Sequence, residues 1–172
     1  PDLLRALAQP ARASAPATGQ ALGQAQAPVA IPPSRSDELS VYDLPEQSAK
    51  EKAAAMEQLR EVALACTKCE PLVASRTQVV VGVGTVEADL MFIGEAPGQD
   101  EDREGEPFVG AAGQLLTKII QATGLDRDTV YIANILKCRP DTPGRISGNR
   151  KPRPEEMATC FPWVKRQIEI IR

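Results

Sequence analysis

The apolar positions of this chain follow two rhythms. Met56, Leu59, Ala63 and Cys66 recur at helical spacing behind Ser48 and Glu51, a pair at capping-box separation, so a helix is expected to start near Ser48. Two β-like runs follow, 77–83 (TQVVVGV) and 88–93 (ADLMFI), the second continuously apolar like a strand buried on both faces. A helix is expected over about 111–123, carrying Leu115, Leu116, Ile119 and Ile120 inward and closed by Gly124, which tolerates the left-handed conformation just past a helix end. Residues 129–136 (TVYIANIL) read as another buried strand. Pro154, with Glu155 and Glu156 in the first turn, opens a last helix with the stripe Met157, Phe161, Val164, Ile168 and Ile171.

Strand, helix, strand, helix in that order predicts an α/β fold with a mainly parallel sheet and right-handed crossovers. Ligands of such sheets bind beyond the carboxyl ends of the strands. The loop after Ile93 and the residues at 134–137 are therefore expected to share one crevice. Residues 1–44 contrast with this pattern. They hold ten alanines up to Ala30, broken by Pro10, Pro16, Pro28, Pro32 and Pro33, and read as a disordered tail or linker with a short helix possible over 3–8. The expected organisation is a tail over 1–44 and an α/β domain over 45–172.

At 172 residues and 42% hydrophobic content the chain can bury a core. No run of 18 or more apolar residues offers a membrane-spanning helix. A net charge of −3 confines any nucleic-acid contact to a local basic patch. The chain starts at Pro1 and stops at Arg172 inside a helical pattern, so a fragment is expected. The absence of secretory features and the cysteine content lead to the expectation of a reducing, cytoplasmic, bacterial-type setting.

The stretch GEAPGQDEDREGEPFVGAAGQLL (94–116) looks like a strand-to-helix loop. It carries Glu95, Asp100, Glu101, Asp102, Glu104 and Glu106 against the single cation Arg103. It lacks both GxxxxGK[ST] and GxGxxG, and its carboxylates would repel a pyrophosphate, so a nucleotide-triphosphatase reading is poor.

Cys66 and Cys69 form a CxxC; Cys138 and Cys160 follow with 68 and 21 residues between successive members. Two disulfides fit a small secreted scaffold, not a domain with this much core. Four thiolates suit tetrahedral zinc, although short zinc modules place both pairs as tight knuckles. An iron–sulfur cluster accepts one tight pair plus two distant ligands. Spacing leaves zinc and cluster open, beside the plain alternative of unrelated core cysteines. From Lys137 to Arg153 six cations (Lys137, Arg139, Arg145, Arg150, Lys151, Arg153) accompany one acid, Asp141. Such a loop, bracketed by cysteines, is expected to contact phosphates.

GEAPG after a buried strand, GEPFVGAAGQLL leading into a helix, NILKCRP at a strand end, and cysteines in the order CxxC, KCRP and a helical Cys together resemble the type-4, iron–sulfur uracil-DNA glycosylases. The likeness spans about 60–172. It implies a three-layer α/β/α sandwich and a [4Fe–4S] cluster on Cys66, Cys69, Cys138 and Cys160, with structural zinc as the alternative. It also implies uracil-containing DNA, single- or double-stranded, as partner to a monomer.

By the same resemblance Glu95 positions water or stabilises charge, and the backbone at Gly94 and Ala96 donates to a uracil carbonyl. Glu101 crowds the base near C5 and excludes thymine, Phe108 stacks on the flipped base, and the Asn134 amide reads the uracil edge. Asp102 and Glu104 are expected to be merely solvated. Lys137, Arg139, Arg150, Lys151 and Arg153 would hold DNA. The family pattern continues to a His-containing segment, whereas this chain holds no histidine, and other glycosylase branches carry an acidic residue where Ala96 stands. The DTPGRISGN segment is longer than the family usually has.

Overall fold

A computed structural model of the chain describes residues 44–141 and 149–172; the tail expected over 1–44 (all but Leu44), the helix expected over 3–8 and Arg145 lie outside the described residues. The first helix, α1 (Ala49–Leu64), begins where the capping box placed it. Ser48 is the N-cap, its backbone N–H donating to Glu51 Oε2 at 2.9 Å while Glu51 N–H donates back to Ser48 Oγ. Leu59 and Ala63 are buried. A short helix that periodicity missed, α2 (Glu70–Ser75), follows with Cys69 as N-cap and a proline in its first turn.

The sheet has three strands in the order β1-β3-β2, with β1 (Val83–Gly84), β2 (Met91–Gly94) and β3 (Tyr131–Asn134). β2 pairs with β3 in parallel, Met91 beside Tyr131 and Gly94 beside Asn134, whereas β1 pairs with β3 antiparallel. The expected mainly parallel sheet is thus a mixed one. The 77–83 run contributes only its last residue to a strand. Val79, Val80 and Val81 are nonetheless buried, and Val80 N–H donates to the Lys137 carbonyl at 2.8 Å. β2 departs from expectation too: Ile93 is 42% exposed, and Met91 and Phe92 are only partly buried. All four residues of β3, the central strand, are buried.

Two helices follow β2: α3 (Gln99–Glu104), inside what read as a loop, and α4 (Ala111–Ala122). On α4 the apolar band is narrower than predicted. Ile120 is fully buried and Leu116 packs beside it, but Leu115 and Ile119 are 61% and 50% exposed. Successive helical residues stand about 100° apart, so two adjacent stripes cannot both face one neighbour. The stripe of α5 (Pro154–Ile171) is shifted in the same way. Cys160, Trp163, Val164, Gln167, Ile170 and Ile171 are buried, whereas Phe161 is half exposed.

β3 sends alternate side chains to different neighbours. Ile132 packs with Ile120 and Leu116 of α4, while Tyr131 and Ala133 pack with Met56 of α1 and Ile171 of α5. The largest cluster joins Leu59 and Ala63 of α1, Leu72 of α2, Val79, Val81, Leu136 and Trp163 with Cys138 and Cys160. Cys138 and Cys160 are therefore part of the core, with Cys66 and Cys69 packed against it.

Candidate strand-end pocket and cysteine centre

Both strand ends expected to form a crevice do meet. Gly94 and Asn134 are lateral neighbours at the carboxyl ends of β2 and β3, and Ile135 N–H donates to the Gly94 carbonyl at 2.9 Å. A cavity of about 340 Å³ opens there, lined among others by Ala96, Glu101, Phe108, Gly110, Asn134 and Asn149. Asn134 is only 2% exposed, yet it lines this cavity; its amide is sheltered without being sunk beneath the sheet.

Gly94 is required by closeness of approach. A Cβ there would overlap Asn134 Oδ1 and stand 2.6 Å from Phe108 Cζ. Phe108 itself has φ 57, the one described non-glycine residue in the left-handed region, a conformation that persists only where its surroundings impose it. Those surroundings are identifiable. Arg127 donates to the carbonyls of Pro107 (2.9 Å) and Phe108 (3.2 Å), and Gly113 on α4 leaves room for the Phe108 carbonyl that a Cβ would overlap. Sequence reading missed Arg127, since an arginine before a strand carries no motif.

Glu101 lines the cavity, but its carboxylate is occupied by backbone. It accepts N–H bonds from Gly98 (2.9 Å), Val109 (3.0 Å) and Gly110 (3.0 Å), satisfying the N-cap amide of α3 and stitching α3 to the turn after Phe108. Burial pushes this carboxyl up, and the amides of Gly110, Val109 and Gly98 outweigh that, leaving it below the usual glutamate range. Asp102 overturns its expectation. It is 3% exposed and accepts the Thr77 N–H on both oxygens at 3.0 Å. Glu104 is exposed as expected and pairs with Arg103. Glu95 is exposed, and its carbonyl accepts from Leu136 N–H at 3.0 Å. Its side chain is not among those lining the cavity with Phe108 and Asn134.

The CxxC pair and the two distant cysteines line one enclosed space with Arg76, Leu72, Val79, Leu136 and Trp163. Cys66 lies just past α1, Cys69 caps α2, Cys138 follows β3 and Cys160 lies within α5. None is disulfide-bonded. Two sulfurs already accept N–H groups: Cys160 from the Lys137 amide and Cys138 from Arg76 Nη1, both at 3.2 Å.

Burial pushes the Cys160 thiol up to about 12 and raises Cys69 and Cys138, whose thiolates also disfavour one another. Three thiols that resist ionising, in one apolar space with a fourth, make a donor set that a polynuclear cation would neutralise and deprotonate. Among the described residues no three His, Cys, Asp or Glu side chains are arranged to hold a single metal ion. Thiolates gathered around one space are the donor type that either an iron–sulfur cluster or a zinc ion takes.

Of the cations expected to meet phosphate, Lys137 is corrected outright. It is 2% exposed, and its Nζ donates to the Val81 carbonyl (2.9 Å) and Gln167 Oε1 (2.6 Å). Gln167 Nε2 donates in turn to Val81 and to the Tyr131 hydroxyl. Burial pulls the Lys137 ammonium down to about 7, against the attraction of Cys160. The chain bends after β3, and the Val81 carbonyl and Gln167 draw this side chain into the core.

Arg150 grips Glu156 with two nitrogens, at 2.8 and 2.5 Å, and donates to the Asp141 carbonyl at 3.0 Å. It braces the loop end against α5. Arg139 donates to Asn149 Oδ1 at 2.8 Å, whereas Lys151 and Arg153 have exposed side chains.

Residues 81–172 match the uracil DNA glycosylase superfamily. Among curated proteins the chain is similar to the type-4 uracil-DNA glycosylase of Archaeoglobus fulgidus, 50% identical over 66% of this chain and 53% of that protein. It is likewise similar to those of Sulfurisphaera tokodaii, 48% identical over 67% of this chain and 50% of that protein, and Thermotoga maritima, 47% identical over 67% and 57%. The chain spans about half the length of the curated relatives it matches. With its family motifs gathered at one strand-end pocket and one cysteine centre, the chain belongs to the uracil DNA glycosylase superfamily, among relatives of the type-4 branch.

Proposed function

We propose that the protein is a DNA-repair glycosylase that accepts a uracil flipped out of DNA and hydrolyses its N-glycosidic bond to leave an abasic site. The observation that carries this reading is the meeting of Gly94, Phe108 and the sheltered Asn134 amide at the carboxyl ends of β2 and β3. The pocket suits a planar ring: Phe108 supplies a stacking face, and Asn134 one acceptor and one donor. Uracil presents N3–H and O4 to such an amide, whereas cytosine presents the reverse, leaving buried groups unpaired and discriminating by roughly 10⁴-fold. Flipping itself favours mispaired uracil, which costs less to unstack.

In the reaction the bond between C1′ and N1 breaks with its electron pair leaving on uracil. Water adds its oxygen to C1′, and its proton is released. Developing charge is positive at the sugar and negative at the base, so carboxylates belong near the sugar and N–H donors near the base. Glu95, exposed beside the pocket, is assigned to water positioning or charge stabilisation, and the amides around Gly94 and Ala96 to a uracil carbonyl. Glu101 fixes the wall against which C5 rests, which limits room for thymine's methyl group.

Cys66, Cys69, Cys138 and Cys160 are assigned to a [4Fe–4S] cluster, whose chemistry is to tie the thiolates of four separate elements into one brace. Arg139, Lys151 and Arg153 are assigned to DNA phosphates. The two sides of β3, packed against α4 and against α1 with α5, support a three-layer α/β/α sandwich in the whole domain. The unpaired thiols suit a reducing compartment.

The test is incubation of the full-length protein with single- and double-stranded DNA carrying one uracil. Alkali-sensitive abasic sites are expected from both, and none from the same strands with cytosine or thymine. Salt-sensitive DNA binding without base release would instead mark a non-catalytic binding module.

A further inference from the structure

Arg76 belongs to no family motif used above, yet its guanidinium reaches into the cysteine space. Nη1 donates to Cys138 Sγ at 3.2 Å and Nη2 donates to the Cys66 carbonyl at 2.8 Å. One side chain thereby joins the sulfur that follows β3 to the backbone of the CxxC. The contact is prepared from outside: the next residue, Thr77, gives its N–H to both oxygens of buried Asp102. Asp102 sits on α3 beside Glu101, which holds the Val109 and Gly110 amides of the pocket wall. A rigid fork is harder to replace than a point charge, because guanidinium presents two coplanar N–H groups and ammonium cannot.

We propose that Arg76 is a positioning residue for Cys138: its fork orients the sulfur toward the shared space and withdraws electron density from it. The proposal rests on the reading of the four cysteines as ligands of one cluster. Charge-assisted N–H bonds to sulfur are stronger than neutral ones, and hydrogen bonds to ligand sulfurs are among the factors that set a cluster's reduction potential. Removing a cationic donor makes added electrons less welcome, so the potential falls. Partners that orient metal ligands typically matter by about 10- to 100-fold in metal retention.

The experiment reconstitutes the full-length protein and its Arg76→Lys and Arg76→Met variants with iron and sulfide. Redox titration of each, and loss of the broad visible cluster absorption on adding a chelator, are then followed. Arg76→Met is expected to titrate at a more negative potential and to bleach about 10-fold faster, with Arg76→Lys between it and wild type. Potentials and bleaching rates equal to wild type in folded variants would overturn the proposal, even if the melting temperature dropped. Should Arg76→Met fail to fold, Arg76→Lys decides by the same two readouts. A wild type that takes up no iron overturns the cluster reading and this proposal together. A wild type that loads normally beside unaffected variants overturns only the role of Arg76.

Discussion

The two candidate centres lie at the same end of β3, Asn134 in one and Cys138 in the other, and they are built by opposite means. The pocket is shaped by backbone. Glu101 holds three amides, Arg127 holds two carbonyls, and Gly94 and Gly113 let main chain and ring approach where a Cβ would not fit. The cysteine centre is shaped by side chains: four sulfurs among Leu72, Val79, Leu136 and Trp163, with Arg76 reaching in. The pocket proposed to admit and release a base is open, with its walls set by directional hydrogen bonds. A centre meant to hold its ligand can be packed like a core. The difference teaches that the two should fail differently, the first through chemistry with the fold kept, the second through the fold itself.

The largest expected effect tests the pocket. Asn134→Ala should lower kcat/KM for uracil excision by about 10²- to 10³-fold, the usual cost of one lost transition-state donor, while the far-UV circular dichroism and visible absorption stay those of wild type. Loss of cluster absorption in this variant would erase the proposed separation of the two centres.

Next in size is the stitch that holds the wall. Glu101→Gln should cost about 1–2 kcal/mol in a urea titration, since the carboxylate is partly exposed and its amide replacement keeps one good acceptor. Glu101 is held below its ordinary range, so its contribution is fully present above the unfolded-state value. It is lost as pH falls through the folded value. Wild type should therefore lose stability faster than Glu101→Gln on acidification below the usual glutamate range, and parallel curves would refute the bracing role.

The smallest effect separates a surface cation from a buried one. Lys151→Ala should reduce the slope of log affinity against log salt by about 0.9, the value of one phosphate contact. Lys137→Met should leave that slope unchanged and lower stability instead, because the Val81 carbonyl and Gln167 lose a donor. A salt slope altered by Lys137→Met would return that lysine to the DNA surface.

Periodicity and motif spacing determined a good deal alone. The Ser48 capping box, the Pro154 helix start, the third strand and the convergence of residues after Ile93 with Asn134 follow from local rules that the tertiary structure had no reason to override. The family motifs also marked the four cysteines that now line one space. What only the tertiary structure decided is direction. Along a run of cations or acids nothing local says which side chain turns inward, so Lys137 and Asp102, read as surface groups, became buried partners of Val81 and Thr77. Likewise α4 and α5 present rotated stripes, and β1 runs antiparallel to β3, because facing and pairing depend on which neighbours cover each element. Arg76 and Arg127 carried no signal at all: their partners are a sulfur and carbonyls that reach them only once the chain has closed on itself.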